Sequence, residues 1–526
     1  MKSFHALFLL LVAPVVVAEW EITPSIEIKE TYSDNIRLST SGNEQDDFIT
    51  EVNPAIKIKG ESRRLKMDLS YKIQNIFYNE NSASDDDKHD LKANGTAELV
   101  DDFVFIDAKA SVSQQNTTYL GAGSQDNLSI DSDRQTTQRY TVSPYIKHNF
   151  RDYLDGELRY TNSTTEYDNS ISNSETNAVK LDMKSGNRFK KLKWKFNYNN
   201  SETDRETTST IEYEQTNAEA SYAFHNEFDA VVRAGDENND LGTGVTKTPN
   251  GTYWSAGLNW HPSYHFNLQL TGGDKEKYSA LTIKPTKRTA FSTSYRDADV
   301  GVNNGGQWMG AFSHTSKRST WRVTYRENTT TSQTEILDLY TFASDFQQAT
   351  YADTNIPPDL AALLGIDPDD IFPGVYINPE TGVYGSIPDL LAGGNFPLSN
   401  EVYKQQALNA NVTYKTAKSD FSFGLSTSDR DLLVSQTSDS SGGWNAGWLW
   451  RYSNRVRSNL TASWRTIEYS TVTREDEYWN IGWDVSRTLA RDTKGSIGIR
   501  RAERTSDVAG NDYEENRIYL LFNMKF

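Results

Sequence analysis

Arg517-Ile518-Tyr519-Leu520-Leu521-Phe522-Asn523-Met524-Lys525-Phe526 is the stretch that decides the fold. Ile518, Leu520, Phe522, Met524 and Phe526 take every second position, and Arg517, Tyr519, Asn523 and Lys525 fall between them, with Leu521 the exception. A period of two places one set on one face of a β-strand, whereas a helix would spread it around its circumference. The same period runs through Leu192, Trp194, Phe196 and Tyr198, and through Trp254, Ala256, Leu258 and Trp260. It returns at Leu408 to Tyr414, at Trp444 to Trp450 and at Trp479 to Val485. From Trp20 to Phe526 no change of texture marks a domain boundary.

A soluble β-sandwich also alternates, but three features count against one. The alternation continues far beyond the length of a single sandwich. The alternating runs are roughly seven to eleven residues, near the ~9–11 that a tilted strand needs to cross a bilayer. The connections tend to alternate in length. Gly60 to Arg64, Val100 to Asp102, His225 to Glu227, Ser316 to Ser319 and Ser453 to Val456 are short. Glu80 to Asp90, Gln114 to Gln138, Asn199 to Glu214, Gly235 to Gly251 and Asp429 to Gly442 are long and polar. Short turns on one side and long loops on the other predict an all-β chain, a single large antiparallel transmembrane β-barrel of roughly 24 strands (about 22–26) of the outer-membrane type. Backbone groups in hydrocarbon must be paired within the protein, so the first strand, near Trp20 to Lys29, is expected to pair with the last.

The front of the chain agrees with that destination. Lys2 precedes an uncharged, mostly apolar run from Ala6 to Val17, and Val16 and Ala18 supply a cleavage pattern. Residues 1–18 are therefore expected to be a signal peptide and 19–526 the barrel, since an uncleaved anchor needs a longer apolar run. No later stretch approaches the ~18 apolar residues of a membrane helix. The chain has no cysteine, which excludes disulfides and thiolate metal sites. Its formal net charge of −18 argues against gripping nucleic acid by its phosphates. The 12 Trp and 28 Tyr are residues that membrane interfaces collect.

If the apolar rows face lipid, the rows between them line the lumen. Those rows hold Lys57, Lys66, Lys72, Lys193, Lys195, Arg233 and Arg322, with Lys92, Lys109, Arg159, Lys180 and Arg500, interspersed with acids such as Asp68, Asp107 and Asp229. Such a mixed, slightly basic lumen suits a hydrated polymer or anionic solute, and it equally suits a generic wet interior. So wide a barrel needs a constriction. The longest connection, 328–403, carries two Pro-Asp-Leu helix starts at Pro358 and Pro388 and is expected either to fold into the pore or to stand outside it. No domain of the plug type is expected before the first strand, because the alternation starts near Trp20. No catalytic, cofactor or metal set emerges. His261 and His265 are four apart, but Pro262 between them denies the helix that a zinc pair needs. Acidic runs such as Asp85 to Asp87 lack calcium-loop spacing.

The terminal alternation ending in Phe526 resembles the signal read by the bacterial barrel-assembly machinery. At the other end stand Trp20-Glu-Ile-Thr-Pro24 and Glu30-Thr31-Tyr32-Ser33-Asp34-Asn35-Ile36, followed by Asn53-Pro54-Ala-Ile56 and Gln114-Gln115-Asn116. These residues resemble the outer-membrane proteins associated with the PEP-CTERM/exosortase system, the Glu30 to Ile36 stretch most specifically. The resemblance implies a Gram-negative outer-membrane barrel linked to exopolysaccharide and biofilm, exporting or anchoring the polymer. The resulting expectation is a passive, non-enzymatic exopolysaccharide conduit. Its partners would be outer-membrane lipids, the assembly machinery, periplasmic export proteins and the polysaccharide. The alternatives are a porin for small solutes and a surface barrel acting structurally or adhesively through its loops.

Overall fold

A computed structural model describes residues 19–116, 126–130, 134–168, 173–241, 249–331, 402–470 and 473–526. The expected signal peptide and most of the 328–403 connection lie outside these residues. The first eight strands are β1 (Glu19–Ser33), β2 (Asp47–Glu61), β3 (Leu65–Tyr78), β4 (Asp86–Val100), β5 (Val104–Asn116), β6 (Arg134–Asn149), β7 (Leu154–Tyr167) and β8 (Ser174–Ser185). Then come β9 (Leu192–Arg205), β10 (Ile211–His225), β11 (Phe228–Asp240), β12 (Gly251–Ser263), β13 (Phe266–Asp274), β14 (Glu276–Thr286), β15 (Thr289–Ala298) and β16 (Gly305–Thr315). The last are β17 (Ser319–Thr331), β18 (Val402–Lys415), β19 (Ser419–Leu432), β20 (Ser438–Arg451), β21 (Val456–Tyr469), β22 (Arg474–Ala490), β23 (Thr493–Ser506) and β24 (Tyr513–Lys525).

Each strand pairs antiparallel with its successor, and β1 pairs with β24 from Ser25↔Lys525 to Ser33↔Arg517. The sheet therefore closes, as pairing in hydrocarbon requires. The single barrel of the outer membrane expected from the sequence is found, with 24 strands.

The register fixes which way each row points. Ile28, opposite Val52 and Phe522, is exposed on the outer face, as are Trp254, Leu270, Trp321, Ile481 and Ile518. These side chains meet lipid. Near the short-turn end the apolar row finishes in aromatics such as Trp20, Tyr264, Trp450 and Phe526. A Cβ at Gly60, directly opposite Trp20, would strike the indole, so the glycine seats that ring at the membrane edge.

Many strands are longer than the sequence suggests. β9 and β10 extend to Arg205 and from Ile211, and β11 runs to Asp240, so much of the expected loops Asn199 to Glu214 and Gly235 to Gly251 is paired sheet. Beyond the hydrocarbon both faces are wet or covered by loops, so strand pairing continues with no apolar alternation to reveal it. Asn328 to Thr331 and Val402 to Tyr403 are likewise strand, which narrows the expected insertion to residues 332–401. His261 and Pro262 lie near the end of strand β12, so His261 and His265 share no helix, and His261 Nε2 stands 3.1 Å from Asp229.

Candidate functional site

The even strand count puts both barrel termini and the short turns on one side, the periplasmic side of such barrels. At the opposite, extracellular end, inward rows of β1–β3 and β22–β24 carry Ile49, Ile76, Tyr78, Ala502 and Tyr513. Apolar groups facing a water-filled lumen would be exposed, yet these are buried. Two loops fold down onto them. Ile36 and Leu128 pack with Ile49, Ile76 and Tyr78, and Leu38 packs on Ala502 and Tyr513. Each buried aliphatic side chain stabilises that seating by roughly 1.5–3 kcal/mol. Backbone bonds join the two loops, with Ile130 N–H donating to Ile36 O at 2.9 Å. Tyr78 Oη donates to Leu128 O at 2.9 Å and Asn127 Nδ2 to Gln74 Oε1 at 2.9 Å.

The stretch Glu30 to Ile36, singled out above, forms the entry to this folded-in segment. Thr31, Ser33, Asn35 and Ile36 are at most 1 % exposed. Ser33 donates to Glu515 at 2.6 Å, and Asn35 Nδ2 donates to Glu514 O at 2.9 Å.

A charged clasp completes the attachment. Asp126 accepts from Arg500 at 3.0 Å and from Arg517. Arg517 also donates to Glu515 at 2.6 Å and to Ser129 at 3.2 Å. Burial alone would push the Asp126 carboxyl up, but the two guanidiniums hold it well below the usual carboxylate range. The clasp thus ties a loop to two adjacent wall strands.

Another part of the mouth is narrowed differently. Ile211 of β10 and Val402 of β18 share one apolar cluster with Leu241, joined by Tyr213, Val302 and Leu433. These strands are not neighbours in the wall, so the loops contributing Leu241, Val302 and Leu433 span part of the opening. Beneath them, Arg296 lies 3.1 Å from Glu237 and 3.0 Å from Glu276. Ser255 donates to Glu276 at 2.8 Å, and Arg233 lies 3.5 Å from both Glu276 and Glu219. A third group joins Asp476 to Arg474 at 2.7 Å and to the buried Arg504 at 3.2 Å. Buried charges persist only when paired in this way. Arginines also stand over tyrosine rings, Arg430 over Tyr403 at 4.6 Å and Arg465 over Tyr478 at 4.6 Å.

The register sets Lys57, Lys66, Lys72, Lys193, Lys195, Arg233 and Arg322 on rows opposite the exposed apolar side chains. Of these, the structure brings together Lys195 and Arg233, which share Glu219 at 3.3 and 3.5 Å. Lys57 is set near Lys59, Lys92 and Lys525 at the periplasmic end, and Lys66 pairs with Glu61 at 3.1 Å. Ile518, Leu520 and Phe522 lie exposed on the outer face of β24, Met524 continues their row, and Phe526 follows the strand, itself exposed. Sequence reasoning missed Asp126, Glu237, Glu276, Arg296, Asp476 and Arg504. Two of them, Asp126 and Glu237, sat in stretches read as loop.

No protein-family model matches the chain, and no curated protein matches it by sequence. Solved structures do. The siderophore receptor PirA from Pseudomonas aeruginosa matches at 10% identity and TM-score 0.42, over 96% of this chain and 80% of that one. The FrpB iron transporter from Neisseria meningitidis matches at 10% and 0.46, over 96% and 81%. The ferric-catecholate import receptor Fiu from E. coli K12 matches at 6% and 0.46, over 95% and 81%. At these identities the likeness is one of fold, the outer-membrane barrel. The matched barrels are siderophore and ferric-catecholate receptors and an iron transporter, and against them the expectation of an exopolysaccharide conduit, with its porin alternative, is corrected.

Proposed function

We propose that this chain is a gated entry barrel of the outer membrane, closed at rest and opened when a bulky solute engages its extracellular mouth. The observation that carries this reading is the clasp of Asp126 on Arg500 and Arg517, which fastens a folded-in loop to the inner wall. A loop held by this clasp, a small apolar cluster and a few hydrogen bonds would on this reading have two arrangements, seated and released. A ligand that bonds the same arginines would favour release. The arginine–tyrosine pairs around the mouth suit an anionic, aromatic-bearing solute. Ferric siderophores belong to that chemical class and are the first to test. Membership of the PEP-CTERM/exosortase-associated family is proposed separately, on Glu30 to Ile36, without the export role.

The test is planar-bilayer conductance of the purified protein beside binding of a ferric catecholate. Wild type should conduct poorly, and Asp126→Asn should raise conductance several-fold. The ferric complex should bind saturably to wild type. A wide-open wild type that Asp126→Asn leaves unchanged would overturn the gate, and absence of saturable binding would overturn the ligand class.

A further inference from the structure

The periplasmic turns are basic although the chain is acidic. Basic residues outnumber acidic ones in them by more than two to one, and eight of the eleven turns carry at least one Lys or Arg. Examples at separate points of the circumference are Arg63 and Arg64, Lys287 and Arg288, Lys317 and Arg318, and Arg455. The connections at the other end are acidic, and the sequence between β17 and β18 has many acids and no base.

The densest point is where two neighbouring turns, 150–153 and 186–191, are knit together. Gly186 N–H donates to Tyr153 O and Arg188 N–H to Asp152 O, both at 2.8 Å. A Cβ at Gly186 would strike the Asp152 carbonyl, so only glycine allows this approach. Arg151, Arg188, Lys190 and Lys191 are all exposed, and none is ion-paired to a carboxylate among the described residues. The Arg188 guanidinium stands 4.8 Å over the Tyr153 ring, and Phe150 and Tyr153 are themselves exposed. Farther round, Lys284 stands 5.2 Å over the ring of Tyr264, which is 70 % exposed.

We infer that this periplasmic rim is a binding surface for anionic phospholipid headgroups, with the paired turns 150–153 and 186–191 as its strongest site. Cations beside aromatic rings at the edge of a lipid-facing band lie at headgroup depth. There they attract phosphate over about a Debye length. A ring spread over most of the circumference fits a planar lipid surface, whereas a docked protein would concentrate charge in one sector. The acidic far end is repelled by the same phosphates, so the charge asymmetry also favours an insertion that leaves the short turns on the periplasmic side.

The test is native mass spectrometry of the full-length protein in detergent with equimolar phosphatidylglycerol and phosphatidylcholine. Wild type should retain several-fold more phosphatidylglycerol. The preference should collapse in R151Q/R188Q/K190Q/K191Q and persist in K275Q/K277Q, which removes two charges from the opposite rim. Equal retention of the two lipids by wild type would overturn the inference, with no variant needed. An undiminished preference in the quadruple variant, folded by heat-modifiable gel mobility, would overturn the assignment to these turns. Retention of an acidic periplasmic protein without lipid preference would replace the lipid with a protein partner.

Discussion

The wall of this barrel is not the same height all round. From β13 to β16 the strands are 9, 11, 10 and 11 residues long, and β13 turns into β14 through Lys275 alone. From β22 to β2 they are 17, 14, 13, 15 and 15 residues, with the long loop 34–46 between β1 and β2. At about 3.3 Å rise and about 45° tilt, nine residues cover roughly 21 Å, close to the ~25 Å apolar band, while thirteen to seventeen cover roughly 30–40 Å. The low sector ends at the membrane surface and the tall sector stands clear of it. In the tall sector the seated loops pack on the inner wall above the lipid, whereas the low-sector loop carrying Val302 closes against side chains of other strands, Ile211 and Val402. The low sector's long-range contacts include the ionic group of Arg296 with Glu237 and Glu276, and the tall sector adds apolar long-range packing that behaves like the core of a soluble protein.

Substitutions sharpen or break that contrast. The largest effect is expected from Arg517→Ala in the tall sector, which leaves the buried Glu515 and the half-buried Asp126 without their shared guanidinium. Loss of about 3–5 kcal/mol is expected, read as a lowered urea midpoint, whereas Lys277→Gln, an exposed pair at 4.0 Å from Asp297 in the low sector, should change it by less than about 0.5 kcal/mol. Equal effects would abolish the distinction between sectors. Next is Ile36→Ala, which opens a cavity against Ile49 and Ile76 and should cost about 2–4 kcal/mol at the loop, with raised conductance as the readout. A destabilised barrel with unaltered conductance would mean that the seated loop does not narrow the pore.

The smallest effect is with pH. Asp126 has its pKa depressed in the folded state, so its contribution is present above the ordinary carboxylate pKa of about 3.9 and is lost only as pH falls through the lower folded value. Conductance should therefore be flat from pH 7 to pH 5. A rise within that range would place the clasp elsewhere.

The outer face was legible in the sequence because lipid imposes one demand, apolar side chains at every second position, and Trp254 to Trp260 or Ile518 to Phe522 meet it plainly. The upper inner wall was not. Thr203, Ser201, Asn239 and Glu237 sit in regular strands, yet by composition they belong to loops, and nothing local distinguishes a paired Glu237 from a solvated one. The clasp was invisible for a second reason, since Asp126 and Arg517 are far apart in sequence and meet only through barrel closure. One exception is Glu30 to Ile36, which stood out as a distinctive stretch and proves to begin the segment that folds inward.

The seam between β1 and β24 also orders events in time. Ser33 with Glu515, Asp34 with Asn516, and Asp126 with Arg517 all join early residues to late ones. None of these bonds exists until the last strand is in place, and contacts of such sequence separation form slowly. The seat of the inward loop is completed by the same step that closes the cylinder, so under the proposed gate an assembly intermediate with an open seam is also ungated. A barrel whose final strand fails to dock would leak before it unfolds, which makes permeability an early symptom of misassembly.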